Sequence, residues 1–171
     1  MAVLETLWDK GYAAYLVGGG VRDALLGRTV TDWDVATDAL PERLLELFPD
    51  GGYDNRFGTV RVPSANMELE VTTFRRDHQY ADHRRPDSVT FTSSLDVDLA
   101  RRDFTVNAIA WSRDGLADPT NGILDLQAGV LRAVGDPAIR FDEDALRLLR
   151  AARLAAQLDF EIEPSTLAAM G

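Results

Sequence analysis

Apolar residues recur at helical spacing over residues 2–10, with Val3, Leu4, Leu7 and Trp8 on one side and Gly11 as a C-terminal stop. Residues 12–17 then read as a strand that runs into Gly18, Gly19 and Gly20. Residues 21–26 form a short helix closed by Gly27. A second strand is predicted over 33–36. Pro41 opens a helix carrying Leu44, Leu45 and Phe48 on one face, and Gly51 and Gly52 break it. Residues 56–62 and 69–74 read as strands separated by a turn over 63–66. The stretch 75–87 has almost no apolar side chain and reads as a mobile polar loop, followed by a short strand over 89–92. Residues 95–101 and 105–110 read as helices, 118–122 as a turn, and 141–158 as one long helix. Pro164 opens another helix, which the chain end cuts off at Gly171. No repeat or low-complexity segment interrupts this order.

Strands therefore crowd the chain up to residue 115, and everything beyond Asp136 reads as helical. This shift predicts an α/β domain over residues 1–135, followed over 136–171 by the opening of an all-helical one. Composition narrows the chemistry. The 171 residues are 46% hydrophobic and 27% charged, enough for a real core. Cysteine is missing, which removes disulfides, thiolate metal sites and a cysteine nucleophile; His78 and His83 are too few for a multi-histidine zinc site. No apolar run approaches the ~20 residues of a membrane span. The first ten residues lack the basic-then-apolar form of a secretory signal, so a cytoplasmic protein is expected.

The net charge of −10 argues against broad electrostatic adhesion to nucleic acid. Yet of 18 basic residues all but Lys10 are arginine, the side chain suited to forked recognition of phosphates and base edges; a GC-rich genome accounts for the same bias. Of 28 acidic residues 20 are aspartate, several closely paired, a pattern that invites a divalent cation.

Five constellations carry candidate chemistry. In the first, a strand ends, Gly18, Gly19 and Gly20 turn the chain, and a helix begins with Arg22 one turn in. Backbone N–H groups at such a helix start suit a phosphate, although a tight turn that needs glycine for positive φ explains the same residues. In the second, Asp32 and Asp34 lie two apart on a predicted strand and so project to one side. Mg²⁺ takes one or two carboxylates together with phosphate oxygens, which suits this pair; two solvated turn aspartates are the plainer alternative. In the third, Glu68 and Glu70 alternate with Leu69 and Val71. Glu70 completes a carboxylate triad if its strand neighbours that of Asp34, and otherwise belongs to the polar face of an edge strand. The fourth gathers Arg101, Arg102, Asp103 and Asn107 as partners for ribose and triphosphate, although Thr105 or Asp103 as an ordinary helix N-cap with solvated charge explains the same residues.

The fifth lies on the predicted long helix. At ~100° per residue, Ala145, Leu148, Leu149, Ala152, Ala155 and Ala156 fill one half of the wheel. Glu143, Asp144, Arg147, Arg150, Arg153 and Gln157 fill the other, interleaved with Leu146, Leu154 and Leu158. Such an arginine stripe can face a cleft, or simply water with ion pairs along it. Asp144 and Arg147 are i, i+3 neighbours that together present an acceptor and a donor fork. That combination matches cytosine and adenine, whose amino groups donate beside accepting ring nitrogens, and mismatches uracil and guanine.

Taken in order, these motifs are Gly-Gly-x-Val-Arg-Asp, Asp-x-Asp, Glu-Val-Thr-Thr-Phe-Arg, Arg-Arg-Asp-Phe-Thr-x-Asn-Ala and Glu-Asp-x-x-Arg-x-x-Arg-x-x-Arg. The set resembles the class II tRNA nucleotidyltransferases, which comprise the bacterial CCA-adding enzymes and their relatives the bacterial poly(A) polymerases. The resemblance runs from about Tyr15 to Leu167. It implies a head with the polymerase-beta-like nucleotidyltransferase fold, a small mixed sheet flanked by helices, and a helical neck starting near Asp136. Family members continue into a body and tail that hold the tRNA, and this chain ends before them.

Carried over residue by residue, Asp32 and Asp34 resemble the metal-binding carboxylates, with Glu70 a weaker third. Gly19 and Arg22 match the triphosphate turn, whereas Gly20 fills a variable position. Arg102, Asp103 and Asn107 match the motif near ribose and phosphates. Asp144 and Arg147 match the amino-acid template for the incoming base, with Arg150 and Arg153 beside it. Tyr80, Asp82, Arg84, Arg85, Pro86 and Asp87 resemble the loop of CCA-adding enzymes and argue against a CC-only enzyme, while leaving CCA-adding and A-only enzymes unseparated.

The resemblance implies Mg²⁺ as cofactor, and CTP, ATP and the tRNA 3′ end as partners, with two-metal phosphoryl transfer as mechanism. A poly(A) polymerase is the alternative within the same chemistry. A non-catalytic nucleotide-binding module is the alternative outside it, disfavoured because a pure binder needs no carboxylate triad.

Overall fold

In the computed structural model, which describes residues 2–55, 57–64 and 67–171, the chain opens with α1 (Ala2–Asp9), β1 (Ala14–Val17), α2 (Gly19–Leu25), β2 (Asp34–Thr37) and α3 (Pro41–Leu47). It continues through β3 (Gly52–Asn55), β4 (Thr59–Ser64), β5 (Met67–Thr73), β6 (Arg75–His78), β7 (Ser88–Phe91) and α4 (Leu95–Ala100). After a single 3-10 turn (Thr105–Asn107) come β8 (Ala110–Ser112), β9 (Gly115–Ala117), α5 (Gly122–Ala128) and β10 (Val130–Leu131). The last elements are α6 (Pro137–Glu143), α7 (Leu146–Leu158), β11 (Glu161–Ile162) and α8 (Pro164–Ala168).

Seven strands form one mixed sheet in the order β3-β4-β5-β2-β1-β8-β9, in which only β2 and β5 run parallel. Alternation along each strand divides the side chains between two faces. Leu16, Val35, Val60, Val62, Leu69 and Val71 point to the larger core, which they build with Val3, Leu4 and Leu7 of α1 and Leu44 of α3. Val17 and Ala36 point the other way, into a smaller core with Phe74, Leu99 and Ala108. Asp34, Glu70, Thr59 and Thr72 share the parity of this second face, so the polar chemistry and the smaller core occupy the same side of the sheet.

The structure differs from the sequence expectations in several places. Residues 105–110 are no helix: one 3-10 turn leads straight into β8, because Ala108, Ile109 and Ala110 are all buried and β8 completes the sheet beside β1. The polar stretch after residue 74 is not wholly loop, since Arg75–His78 pairs antiparallel with Ser88–Phe91. The predicted strand over 56–62 is observed from Thr59, and Arg56 lies outside the described residues, as do Ala65 and Asn66 of the predicted turn. The region after Asp136 is not purely helical, for β11 pairs in parallel with β10 across that point. The long helix over 141–158 is two helices with a break at Asp144 and Ala145. Asp144 is extended there (φ −145°, ψ 102°) and its Oδ1 accepts from the Leu146 N–H at 2.9 Å.

Candidate active site

The turn between β1 and α2 is built on glycine for two separate reasons. Gly18 sits at φ 75° and ψ −146°, a backbone region closed to most L-residues. A Cβ there would also lie 3.1 Å from Asp34 Oδ2 and 3.3 Å from Arg102 Nη1. Gly20 solves a different problem. A Cβ at that position would come within 2.9 Å of both the Asp32 carbonyl oxygen and the Trp33 ring. The residue in the variable place of the motif is therefore what allows α2 to rest on the segment that presents Asp32. Arg22 is buried, with Nη1 donating to Asn107 Oδ1 at 2.6 Å and Nε to Asp23 Oδ1 at 2.9 Å.

Asp34 begins β2, while Asp32 lies just outside the strand and is exposed. The two therefore do not share a strand face as the spacing argument requires, although both border one recess. Burial raises the Asp34 pKa above the usual carboxylate range; the Arg102 charge opposes this and the Asp32 charge adds to it. Glu70 does stand on a neighbouring strand, in direct register with Asp34. Among the described residues no group of three or more His, Cys, Asp or Glu could hold a metal ion by itself. Two carboxylates bordering one recess nevertheless suit a hard cation whose remaining ligands come from a substrate.

Buried acids hold the arginines opposite. Asp98, wholly buried on α4, accepts from Arg101 Nε and Nη2 at 2.9 and 2.8 Å and from Arg102 Nη2 at 3.3 Å. Burial disfavours its charge, but Arg101 and Arg102 outweigh burial and keep its pKa low. Asp103 behaves alike. Its Oδ1 accepts from the Phe104 N–H and from Asn107 Nδ2, and its Oδ2 from Arg150 Nε at 2.8 Å and Nη2 at 2.5 Å. Burial works against the charged form there, and Arg150 overcomes it, so the pKa lies below the ordinary value. Asp103 is thus the clamp that ties α7 to the sheet domain. Asp98 was not a candidate from sequence; its short spacing to Arg101 and Arg102 (i, i+3 and i, i+4) was the available signal.

Arg147 is buried as well. Nη1 donates to the Arg140 carbonyl at 2.9 Å and to Glu143 Oε2 at 2.6 Å, and Nη2 to the Arg101 carbonyl at 3.3 Å. Three of the five N–H donors of its guanidinium are thereby used, leaving Nε–H and one Nη2–H. Tyr80 lies beneath it, ring centroid 6.0 Å away, and donates its hydroxyl to Asp77 Oδ2 at 3.0 Å. Burial, then the Asp77 charge, pushes the Tyr80 pKa up to about 12 and keeps it a donor. The helix faces also differ from expectation. Arg147, Ala151, Leu154 and Leu158 face inward, while Leu149 is 69% exposed and Ala152 and Ala156 are exposed. The arginine stripe, not the alanine-rich half, meets the head.

All of this converges on a single cavity of about 510 Å³. Gly18, Gly19, Arg22 and Asp34 line one wall, Arg101, Arg102, Asp103 and Asn107 the floor, and Asp144, Arg147, Arg150 and Arg153 the far wall. Of the sequence-predicted site residues, Asp32 and Glu70 lie outside it, in recesses that share Asp34.

Residues 14–132 match the family described as the Poly A polymerase head domain. The chain belongs to that family. It is 51% identical over 98% of its length to a CCA-adding enzyme of Levilactobacillus brevis, of which it covers 43%. The crystal structure of the Bacillus stearothermophilus CCA-adding enzyme in complex with CTP superposes with a TM-score of 0.89 at 44% identity. That match covers 98% of this chain and 41% of the other. A tRNA nucleotidyltransferase complexed with a primer tRNA and an incoming ATP analog gives 0.79 at 32% identity, over 98% of this chain and 48% of that one. The chain thus spans less than half the length of these relatives. Family membership implies a divalent metal. Among the described residues no helix is long and apolar enough to cross a membrane.

Proposed function

We propose that this chain carries the nucleotidyl-transfer site of an enzyme that adds C and A residues from CTP and ATP to the 3′ end of tRNA in the cytoplasm. The observation that carries this reading is the convergence of the glycine turn, Asp34 and the Asp144–Arg147 pair on one cavity. The first two suit a triphosphate beside a cation, and the third suits a base with an amino group next to an accepting nitrogen.

Asp32 and Asp34 are the residues that would hold Mg²⁺. When bound there, the ion supplies Lewis-acid activation of the attacking hydroxyl and charge neutralisation on the phosphates. Gly19 leaves the backbone bare for the triphosphate, while Arg22, fixed by Asn107 and Asp23, orients the departing pyrophosphate. Arg102 and Asp103 border the ribose. The base meets Asp144, whose Oδ2 remains an acceptor, and the two donors left on Arg147; cytosine offers an amine against the first and N3 and O2 against the second. Glu143 fixes the rotamer that aims those donors. Arg150 and Arg153 complete the cationic wall. Residues 1–135 act as the catalytic head and residues 136–171 as the start of the neck that reads the base.

The test incubates the protein with tRNA ending at the discriminator base, in CC or in CCA, with labelled CTP or ATP. CTP incorporation on the first, a single ATP on the second and none on the third support the reading. Long ATP-only products would identify a poly(A) polymerase instead. Nucleotide binding without any turnover would identify a binding module.

A further inference from the structure

A second recess, of about 250 Å³, opens on the other side of Asp34. Asp34, Arg101 and Arg102 border both it and the main cavity, and Glu70, Thr59, Thr72 and Arg75 complete its lining. Thr59 and Thr72 form one rung of the β4–β5 ladder, with hydroxyl oxygens 3.1 Å apart. Thr72 follows Glu70 by two residues, so it shares the sheet face of Asp34. Arg75 is held at the rim: Nε donates to Asp77 Oδ1 at 2.9 Å and Nη1 to the Phe57 carbonyl at 2.7 Å. Burial, then the Arg101 charge, lowers its pKa. Arg102 Nε is buried with no hydrogen-bond partner, an unmet donor between the two cavities.

In nucleotidyl transfer the attacking and leaving oxygens lie roughly in line across the reacting phosphorus. A triphosphate seated at Gly19 and Arg22 sends its pyrophosphate toward α2, so the hydroxyl must come from across Asp34. Two recesses meet that side. One is lined by Thr31, Asp32, Glu68 and Glu70 and would repel a phosphodiester. The other shares Asp34 and Glu70 but adds the hydroxyls of Thr59 and Thr72 and the guanidinium groups of Arg75, Arg101 and Arg102, which the first lacks. We propose that the recess of Thr59, Thr72 and Arg75 seats the 3′-terminal nucleotide of the RNA primer. The two threonines engage its ribose and Arg75 its phosphodiester, and together they aim the 3′-hydroxyl at Asp34. This inference rests on the functional reading above. It makes Thr59, Thr72 and Arg75 primer-positioning residues, separate from the base-reading wall.

The test titrates the chain, saturated with a nonhydrolysable CTP analogue and Mg²⁺, into a fluorescein-labelled RNA hairpin with a single-stranded 3′ end in C. Thr72→Val should weaken RNA binding roughly fivefold and Arg75→Gln roughly tenfold, the scale of one neutral and one charge-assisted hydrogen bond. Neither should shift the affinity for the analogue measured without RNA. Arg75→Gln loses contacts to Asp77 and Phe57 and its melting must be checked. Thr72→Val keeps the side-chain shape, so it decides the matter if the arginine variant unfolds. RNA affinity unchanged in folded variants, RNA and analogue affinities falling together, or no RNA binding by a wild-type chain that binds the analogue would each overturn the proposal. Failure of the wild-type chain to bind the analogue would overturn the functional reading, and this proposal with it.

Discussion

The two walls of the main cavity are prepared to different degrees. On the α7 side, Arg147 is buried against Glu143 and two carbonyls, and Arg150 is clamped by Asp103. On the β2 side, Asp34 carries a raised pKa, with burial the main cause and Asp32, exposed in an adjoining recess, a contributor. The arginines of the α7 side are held by acids and carbonyls of the chain itself, whereas burial disfavours the charged Asp34 carboxyl, with the Arg102 charge acting the other way. Fixed donors therefore lie on the side proposed to read the base, and a disfavoured negative charge on the side proposed to hold the cation.

The largest break in this contrast is Asp34→Ala. Incorporation should fall by more than about a thousandfold, as expected when a metal ligand of a phosphoryl-transfer site is lost. Because the charged carboxyl is disfavoured in the folded state, the thermal midpoint should stay level or rise. Differential scanning calorimetry beside a primer-extension assay reads both. A falling midpoint with retained turnover would mean that Asp34 is a structural residue.

Asp103→Ala should act in the opposite sense, costing about 1–3 kcal/mol of stability, chiefly by leaving the buried Asn107 amide and Phe104 N–H without their acceptor while the half-exposed Arg150 turns to water. Urea unfolding measures this. Asp98 and Asp103 both have depressed pKa values, so their stabilisation is complete above the unfolded-state value of about 4. It is lost as pH falls through the lower folded-state values. Acid unfolding of the wild type should steepen in that window, and the Asp103 variant should lose part of the slope.

Arg147→Ala should cost ~1–3 kcal/mol of discrimination between CTP and UTP. Glu143→Gln should produce a fraction of that loss, since it leaves the arginine in place and loosens its aim. Competition kinetics with the two nucleotides gives the ratio; unchanged selectivity in Arg147→Ala would remove the template role. The smallest effect belongs to Arg153→Ala. Its guanidinium is exposed, and the change should shift the nucleotide KM by less than about threefold.

Much of the fold was legible because alternation and glycine carry it. The strand of residues 12–17, the glycine turn and the helix at Pro41 follow from local pattern, whereas the pairing of Asp34 with Glu70 was left open by the sequence and decided by the parallel β2–β5 ladder. What stayed hidden depends on tertiary partners. Residues 108–110 become part of a strand path because β1 offers an edge there, a choice that local propensity does not record. The break at Asp144 is invisible to a helical wheel, since Asp144 acts as a side-chain cap inside a sequence that reads as continuous helix. The wheel likewise favours burying alanine and leucine, whereas burial of Arg147 depends on Glu143 and carbonyls from residues 101 and 140. Gly20 shows the limit of motif reading, because its constraint is an approach to Trp33 that no motif encodes.

The most direct test of the central claim is manganese binding by the chain in the presence of a nonhydrolysable CTP analogue, read by anomalous diffraction. The account predicts Mn²⁺ bound by Asp32 and Asp34, with the triphosphate running toward Gly19 and Arg22. A fully occupied analogue with manganese elsewhere, or with none at these two carboxylates, would contradict it.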